Sequence, residues 1–308
     1  MSALKIKSGI YNFYLGSTHK DFSVQQSLSY INGVFDDYLK YLQIDSQEIR
    51  NKNILEIGPG DNLGVALKFI ANGAKKVVCL DRVYSARNHR QQYNIYSALR
   101  NELDTIMKSD FDSALLLKDG RLFFNDDKIK YIYGFDISDA GSLLKDEKFD
   151  FIVSRAVLEH VYNIDTAFSM MNKLLKKDGY VAHKVDLRDH EMFSLDGFNP
   201  LAFLTIPNPI WRHMTKHSGK PNRKRFDYYK KKLEEMSLTS KIWITHLITQ
   251  KDEILPHKGS IMKNRDYGEE DLAFVNRIRP KLCTEFRSLS DEGLLIGGIF
   301  IIGKKDRV

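Results

Sequence analysis

Residues 53–67 read NILEIGPGDNLGVAL: a short apolar run, a pair of glycines one residue apart, then apolar residues at helical spacing. Working outward, KNILEIG (52–58) reads as a buried strand and LGVALKFIANG (63–73) as a helix ending in Gly73. AKKVVCLD (74–81) reads as a second buried strand, so the unit is strand, helix, parallel strand. Such a unit opens a doubly wound sheet. The glycines stand at Gly58, Gly60 and Gly64, one position later at the third than a dinucleotide-binding turn requires. Glu56 adds a carboxylate two residues before the first glycine, which is awkward beside a pyrophosphate. A ligand with a cationic end, ribose hydroxyls and an adenine suits the turn better, with Asp81 at the end of the second strand placed to accept from the ribose.

The rest of the chain extends the same pattern. Val24, Leu28, Ile31, Phe35, Leu39 and Leu42 recur at steps of three and four, predicting an amphipathic helix over 21–43. A polar segment, about 82–128, reads as an insertion in which Tyr96, Leu99, Leu103 and Ile106 suggest a helix and 119–137 a turn flanked by strands. Alternation resumes with FDFIVSRAV (149–157) as a strand, DTAFSMMNKLLKKDG (165–179) as a helix closed by Gly179, and YVAHKVDL (180–187) as a strand. Helical period fails over about 191–232, and two final strands, SKIWITHLI (240–248) and LLIGGIFIIGKK (294–305), flank a helix near 270–289.

These ordered pieces resemble the class I S-adenosylmethionine-dependent methyltransferases, and most nearly the group called methyltransferase type 11. ILEIGPG is similar to the first cofactor motif, Asp81 to the ribose-binding acid, and GFDIS (134–138) to the segment whose acid contacts adenine. FDFIVSRAVLEHV resembles the fourth motif with its following helix, and MMNKLLKKDGY the helix and turn before strand five. The resemblance implies an α/β, Rossmann-like, doubly wound sheet of seven strands whose last strand is antiparallel, with S-adenosylmethionine as cofactor. An N-terminal helical segment (1–49) precedes the methyltransferase domain (50–308), and insertions at about 82–128 and 191–232 are expected to form a cap. By position in the motifs, Glu56, Gly58 and Gly60 shape the methionine side, Asp81 holds the ribose, Asp136 and Ile137 frame the adenine, and Ser154 lies beneath the cofactor. A tight turn, helix caps and a core hydroxyl are the plainer readings of the same residues.

Methyl transfer to a hydroxyl requires removal of a proton, so a base is wanted. HKVDLRDHE (183–191) crowds His183, Asp186, Asp189 and His190 at the end of strand five, and His160 follows strand four. Such a group could form a base with an orienting carboxylate or hold a divalent metal; His190 and Asp186 are favoured over His160 and His183, and no metal is assigned. Acceptor binding is expected from His19 in YLGSTHKDF (14–22) and from WRHMTKHSGKPNRKRFDYY (211–229), where Arg223 and Arg225 would grip an anionic group. A net charge of +7 with pI near 9.1 agrees with an anionic small acceptor such as a sugar nucleotide, nucleic acid ranking second. A non-catalytic cofactor-binding protein is the remaining reading. Cys79 and Cys283 are the only cysteines, so a disulfide framework is not expected and a cytoplasmic setting is the default. No uncharged apolar run reaches the ~18 residues of a membrane span, and oligomeric state is left open.

Overall fold

The computed structural model describes residues 19–190, 199–215 and 221–306. Helix α1 (Val24–Leu42) begins at a capping box in which Ser23 Oγ accepts from Gln26 N at 3.2 Å and Gln26 Oε1 accepts from Ser23 N at 2.9 Å. Its buried stripe, which includes Leu28, Ile31, Phe35 and Tyr38, packs on Phe69 of the helix after the glycine turn, with the Phe35 and Phe69 rings 5.2 Å apart edge to face.

Strand β1 (Asn53–Ile57), helix α2 (Gly64–Ala71) and strand β2 (Lys76–Asp81) form the expected unit. Both strands are buried nearly throughout, as parallel strands covered on both faces must be. The register sets Glu56 beside Cys79 and Ile57 beside Leu80. The insertion folds as α3 (His89–Asn101), α4 (Thr105–Ala114) and a hairpin, β3 (Leu115–Lys118) with β4 (Arg121–Phe124), turning at Asp119 and Gly120. Strand β5 (Ile129–Tyr133) then pairs parallel with β2.

Strand β6 (Phe149–Arg155) pairs parallel with β1, and α5 (Ile164–Leu174) leads into β7 (Leu175–Asp186). The helix therefore ends five residues before Gly179, not at it. Gly179 lies in β7, where a Cβ would stand 2.9 Å from Lys176 O and 3.1 Å from Asp150 O. Later elements are α6 (Asn208–Thr215), α7 (Phe226–Glu235), β8 (Leu238–Leu247), α8 (Glu269–Ile278) and β9 (Ile296–Lys305). The long helix expected near 270–289 stops at Ile278 because Arg279 and Pro280 start a separate 3-10 turn.

The seven strands run β5-β2-β1-β6-β7-β9-β8, and β9 is antiparallel to β8, which is the doubly wound sheet with an antiparallel last strand. The chain divides into two compact units, one of residues up to 155 with 165–182, the other of 156–164 with 183–306. Helix α1 is part of the first unit; residues 1–18 of the expected N-terminal segment lie outside the described residues. No helix among the described residues is long and apolar enough to cross a membrane.

Candidate functional site

The glycine turn belongs to the first unit. Gly58 and Gly60 adopt φ of +68° and +69°, which bend the backbone back at the end of β1, and Gly58 N donates to Leu80 O at 2.8 Å. Asp81 turns its carboxylate onto the turn: Oδ2 accepts from Gly60 N and Oδ1 from Val83 N, each at 3.3 Å. Burial pushes Asp81 up to about 6, opposed by those two N–H groups and by Arg87. A carboxylate offers about four lone-pair positions, so acceptor capacity for a diol remains.

Beside the turn lies a small recess whose walls include His19, Tyr30, Tyr38, Glu56, Asn62 and Arg155. Burial pushes Glu56 up to about 7, against a thiol hydrogen bond from Cys79 and the charge of Arg87. Arg155 ends β6, pairs with Asp37 at 2.7 Å and lies 5.7 Å from the Tyr30 ring centroid. Asn62 Oδ1 accepts from Gly64 N at 2.7 Å, which fixes its amide and leaves Nδ2 buried with no hydrogen-bond partner among the described residues. His19 Nδ1 is in the same condition. An acid, a cation and two orphaned polar atoms around one recess suit a zwitterionic amino-acid group, so the residues fit the methionine end of the cofactor.

The second unit holds a different cluster. Glu159, 2% exposed, accepts from Asp186 N at 3.1 Å through Oε1, while its Oε2 is buried with no hydrogen-bond partner among the described residues. The His160 and His190 rings meet edge to face with centroids 4.6 Å apart, and His190 Nε2 lies 3.9 Å from both Glu159 Oε1 and Asp186 Oδ2. Burial, with the charge of Asp186 added, drives the Glu159 carboxyl well above the usual carboxylate range. Burial would lift Asp186 as well, but the Arg188 fork outweighs it and holds that carboxyl below its ordinary value. Neighbouring carboxyls pushed in opposite directions are a common arrangement at reactive centres.

A family model described as "Methyltransferase domain" matches residues 30–233. The chain belongs to this methyltransferase family. S-adenosylmethionine is the family's methyl donor. No curated protein matches the sequence. Among solved structures, this chain is similar to phosphoethanolamine N-methyltransferase 2 of Haemonchus contortus in complex with S-adenosyl-L-methionine. The two share 15% identity over 84% of this chain and 49% of that one, with a TM-score of 0.40. It is also similar to YcgJ from Bacillus subtilis, at 15% identity over 87% of this chain and 97% of that one, with a TM-score of 0.41. The methyltransferase spans about half the length of the Haemonchus protein.

Several expected site residues of the methyltransferase stand elsewhere. Arg223, 4% exposed, points its guanidinium at Phe203 O (3.1 Å), Ile206 O (2.6 Å) and Asn208 Oδ1, between the Trp211 and Phe286 rings. Arg225, 3% exposed, donates to the carbonyls of Leu187, Gly293, Leu294 and Ile296. Neither is available to grip an acceptor phosphate; both satisfy backbone carbonyls. Lys216 and Lys220 of the same basic stretch lie outside the described residues. His183 is fully buried, its pKa held down to about 3, and it does not join the Glu159, His160 and His190 group. His19 stands in the wall of the recess rather than in a separate acceptor site. Asp136 caps the 3-10 turn Ile137–Asp139, with Oδ1 accepting from Ser138 N at 3.1 Å, and Ile137 and Ser154 are both buried at 1% exposure. Asp189, part of the cluster expected at the end of strand five, is buried at 1% exposure, and Arg188 beside it binds Asp186.

Glu159 is the functional candidate that sequence reasoning passed over, although it stands next to His160 in the quoted motif. Asn222 is another: its Nδ2 donates to Leu158 O (2.8 Å) and Val161 O (3.0 Å), and its N to Glu159 O (2.6 Å), so it clamps the turn that presents Glu159 and His160. Arg87 also escaped notice; it donates to Gly60 O at 3.3 Å and stacks 4.0 Å from the Tyr131 ring centroid.

Proposed function

We propose that this chain transfers the methyl group of S-adenosylmethionine to a hydroxyl of a small anionic acceptor. The observation that carries the reading is the Glu159, His160, His190 and Asp186 cluster, a concentration of groups suited to taking a hydroxyl proton. It follows the donor recess directly along the chain, since Arg155 lines that recess and Glu159 comes four residues later. Bound at the glycine turn, the cofactor supplies a methyl group activated by its sulfonium. Glu56 and Arg155 would hold its amino-acid end and Asp81 its ribose, and Asp136 with Ile137 would frame its adenine. His190 receives the acceptor's proton, and Asp186 stays ionised under Arg188 to stabilise the imidazolium. The net charge of +7 favours an anionic acceptor. The narrower expectation of a sugar nucleotide rests on Arg223 and Arg225, and their inward turn removes its support.

Calorimetry with S-adenosylhomocysteine, followed by methyl-transfer assays on hydroxylated, amine and RNA acceptors, tests the reading. Asp81→Ala is expected to weaken product binding by roughly 1.5–3 kcal/mol, the value of a charge-assisted hydrogen bond. His190→Ala is expected to lower kcat while leaving that affinity unchanged. Folded wild-type protein that binds neither the cofactor nor its product would overturn the reading, and methylation confined to RNA would replace the small acceptor with nucleic acid.

A further inference from the structure

We propose that Glu159, His160 and His190 bind a divalent first-row transition-metal ion. One ligand-type atom from each of the three lies within 4.8 Å of the other two. Ligand atoms around a tetrahedral ion at about 2.0–2.2 Å stand roughly 3.4 Å apart, so side-chain rotations of about an ångström close the set. The 3.9 Å between His190 Nε2 and Glu159 Oε1 is too long for a hydrogen bond and close to that ligand spacing. Glu159 Oε2 is buried, 2% of its residue being exposed, and no hydrogen-bond partner meets it among the described residues. A buried polar oxygen without a partner is costly, and a coordinated cation would answer it.

The surroundings organise the set from outside. Asn222 clamps the turn that carries Glu159 and His160, and the backbone N–H of Asp186 orients the Glu159 carboxylate. Asp186 itself is occupied by Arg188 through contacts of 3.0 and 2.8 Å, which leaves it an outer partner and not a ligand. Imidazole pairs favour zinc, copper, nickel or iron over magnesium and calcium, and three protein ligands leave positions open for a further oxygen. If the methyl-transfer reading holds, on which this last step alone rests, that oxygen is the acceptor's hydroxyl: the ion would lower its pKa so that its proton leaves to solvent, and His190, as a ligand, would hold the ion instead of receiving that proton.

Cobalt(II) titrated into the purified full chain should bind at one equivalent with the visible absorption of imidazole and carboxylate ligation, and zinc should displace it. His190→Ala and Glu159→Gln should each weaken binding at least about 100-fold, the upper end of what losing a mere outer partner costs. His213→Ala, an exposed residue on α6, should leave it unchanged. Circular dichroism and the thermal transition of the same preparations report whether each variant is folded. If Glu159→Gln does not fold, His190→Ala, with 27% of its side chain exposed, decides alone. Wild-type protein that binds the homocysteine product but neither cobalt nor zinc overturns the proposal, as does undiminished binding by His190→Ala or uptake of magnesium alone. Cobalt binding without binding of the cofactor product upholds the metal site and instead rejects the methyl-transfer reading.

Discussion

Glu56 is a single carboxyl whose burial ties the stability of the fold to pH. Its folded pKa, about 7, exceeds the ordinary 4.5 because burial disfavours the charge. Raised in the folded state, it contributes stability that is complete below about pH 4.5 and is lost as pH rises through about 7; the loss is of order 3 kcal/mol. The urea midpoint of the ligand-free protein is therefore expected to fall between pH 5 and 8, and Glu56→Gln to flatten much of that fall. Asp81, raised to about 6, adds in the same direction and accounts for slope that remains in the variant. A cationic ligand end beside Glu56 favours the carboxylate, so S-adenosylmethionine binding at pH 6 should release a proton. Calorimetry in buffers of different ionisation heat measures that release, and an unchanged release in Glu56→Gln would assign the proton elsewhere.

At the scale of elements, the late third glycine finds its explanation in helix packing. A Cβ on Gly64 would stand 2.3 Å from Ile31 Cδ1 and 2.8 Å from Asn62 Oδ1, so the bare backbone lets α2 close on α1. Gly64→Ala is expected to cost about 1–3 kcal/mol by overpacking, and Ile31→Val, which removes the nearest atom, should recover part of it in a double-mutant cycle read by denaturant unfolding. Additive losses would mean that the two helices do not share this contact. The same elements show what sequence can carry. β1, α2, β2 and β6 were legible because strands buried on both faces read as unbroken apolar runs, and Gly58, Gly60 and Asp81 follow from where those strands end. The end of α5 was not, since Leu175 continues the apolar pattern and the left-handed residue is Asp178 (φ +59°) instead of Gly179. Arg223 and Arg225 misled for a stronger reason: a run of basic and aromatic residues looks alike whether its guanidiniums face solvent or backbone carbonyls contributed by distant segments. Glu159 was hidden because the turn that exposes its role is held by Asn222, 63 positions away by the spacing of their backbone bond.

On the scale of the molecule, one sheet of seven strands carries a chain that separates into two compact units, each with its own polar centre. The first unit gathers the residues of the recess beside the glycine turn, from His19 to Arg155; the second gathers Glu159, His160, Asp186 and His190. They differ in how early in the chain their parts are made. The first unit draws on residues up to 155 and on 165–182, whereas the second needs segments as late as β9. Protein arrested at residue 290 should therefore leave residues 183–190 and 221–290 open to protease, and the full chain should protect them; equal protection would show that the second unit closes without its final strand. Arg225 makes the delay physical. Its guanidinium relies on carbonyls 68, 69 and 71 residues further along, those of Gly293, Leu294 and Ile296. On a ribosome adding ~5–20 residues per second, a charge destined for the interior waits roughly 4–14 s before three of its four carbonyl acceptors exist, Leu187 alone being made earlier, which makes the last stage of synthesis the moment at which the second unit can first lock.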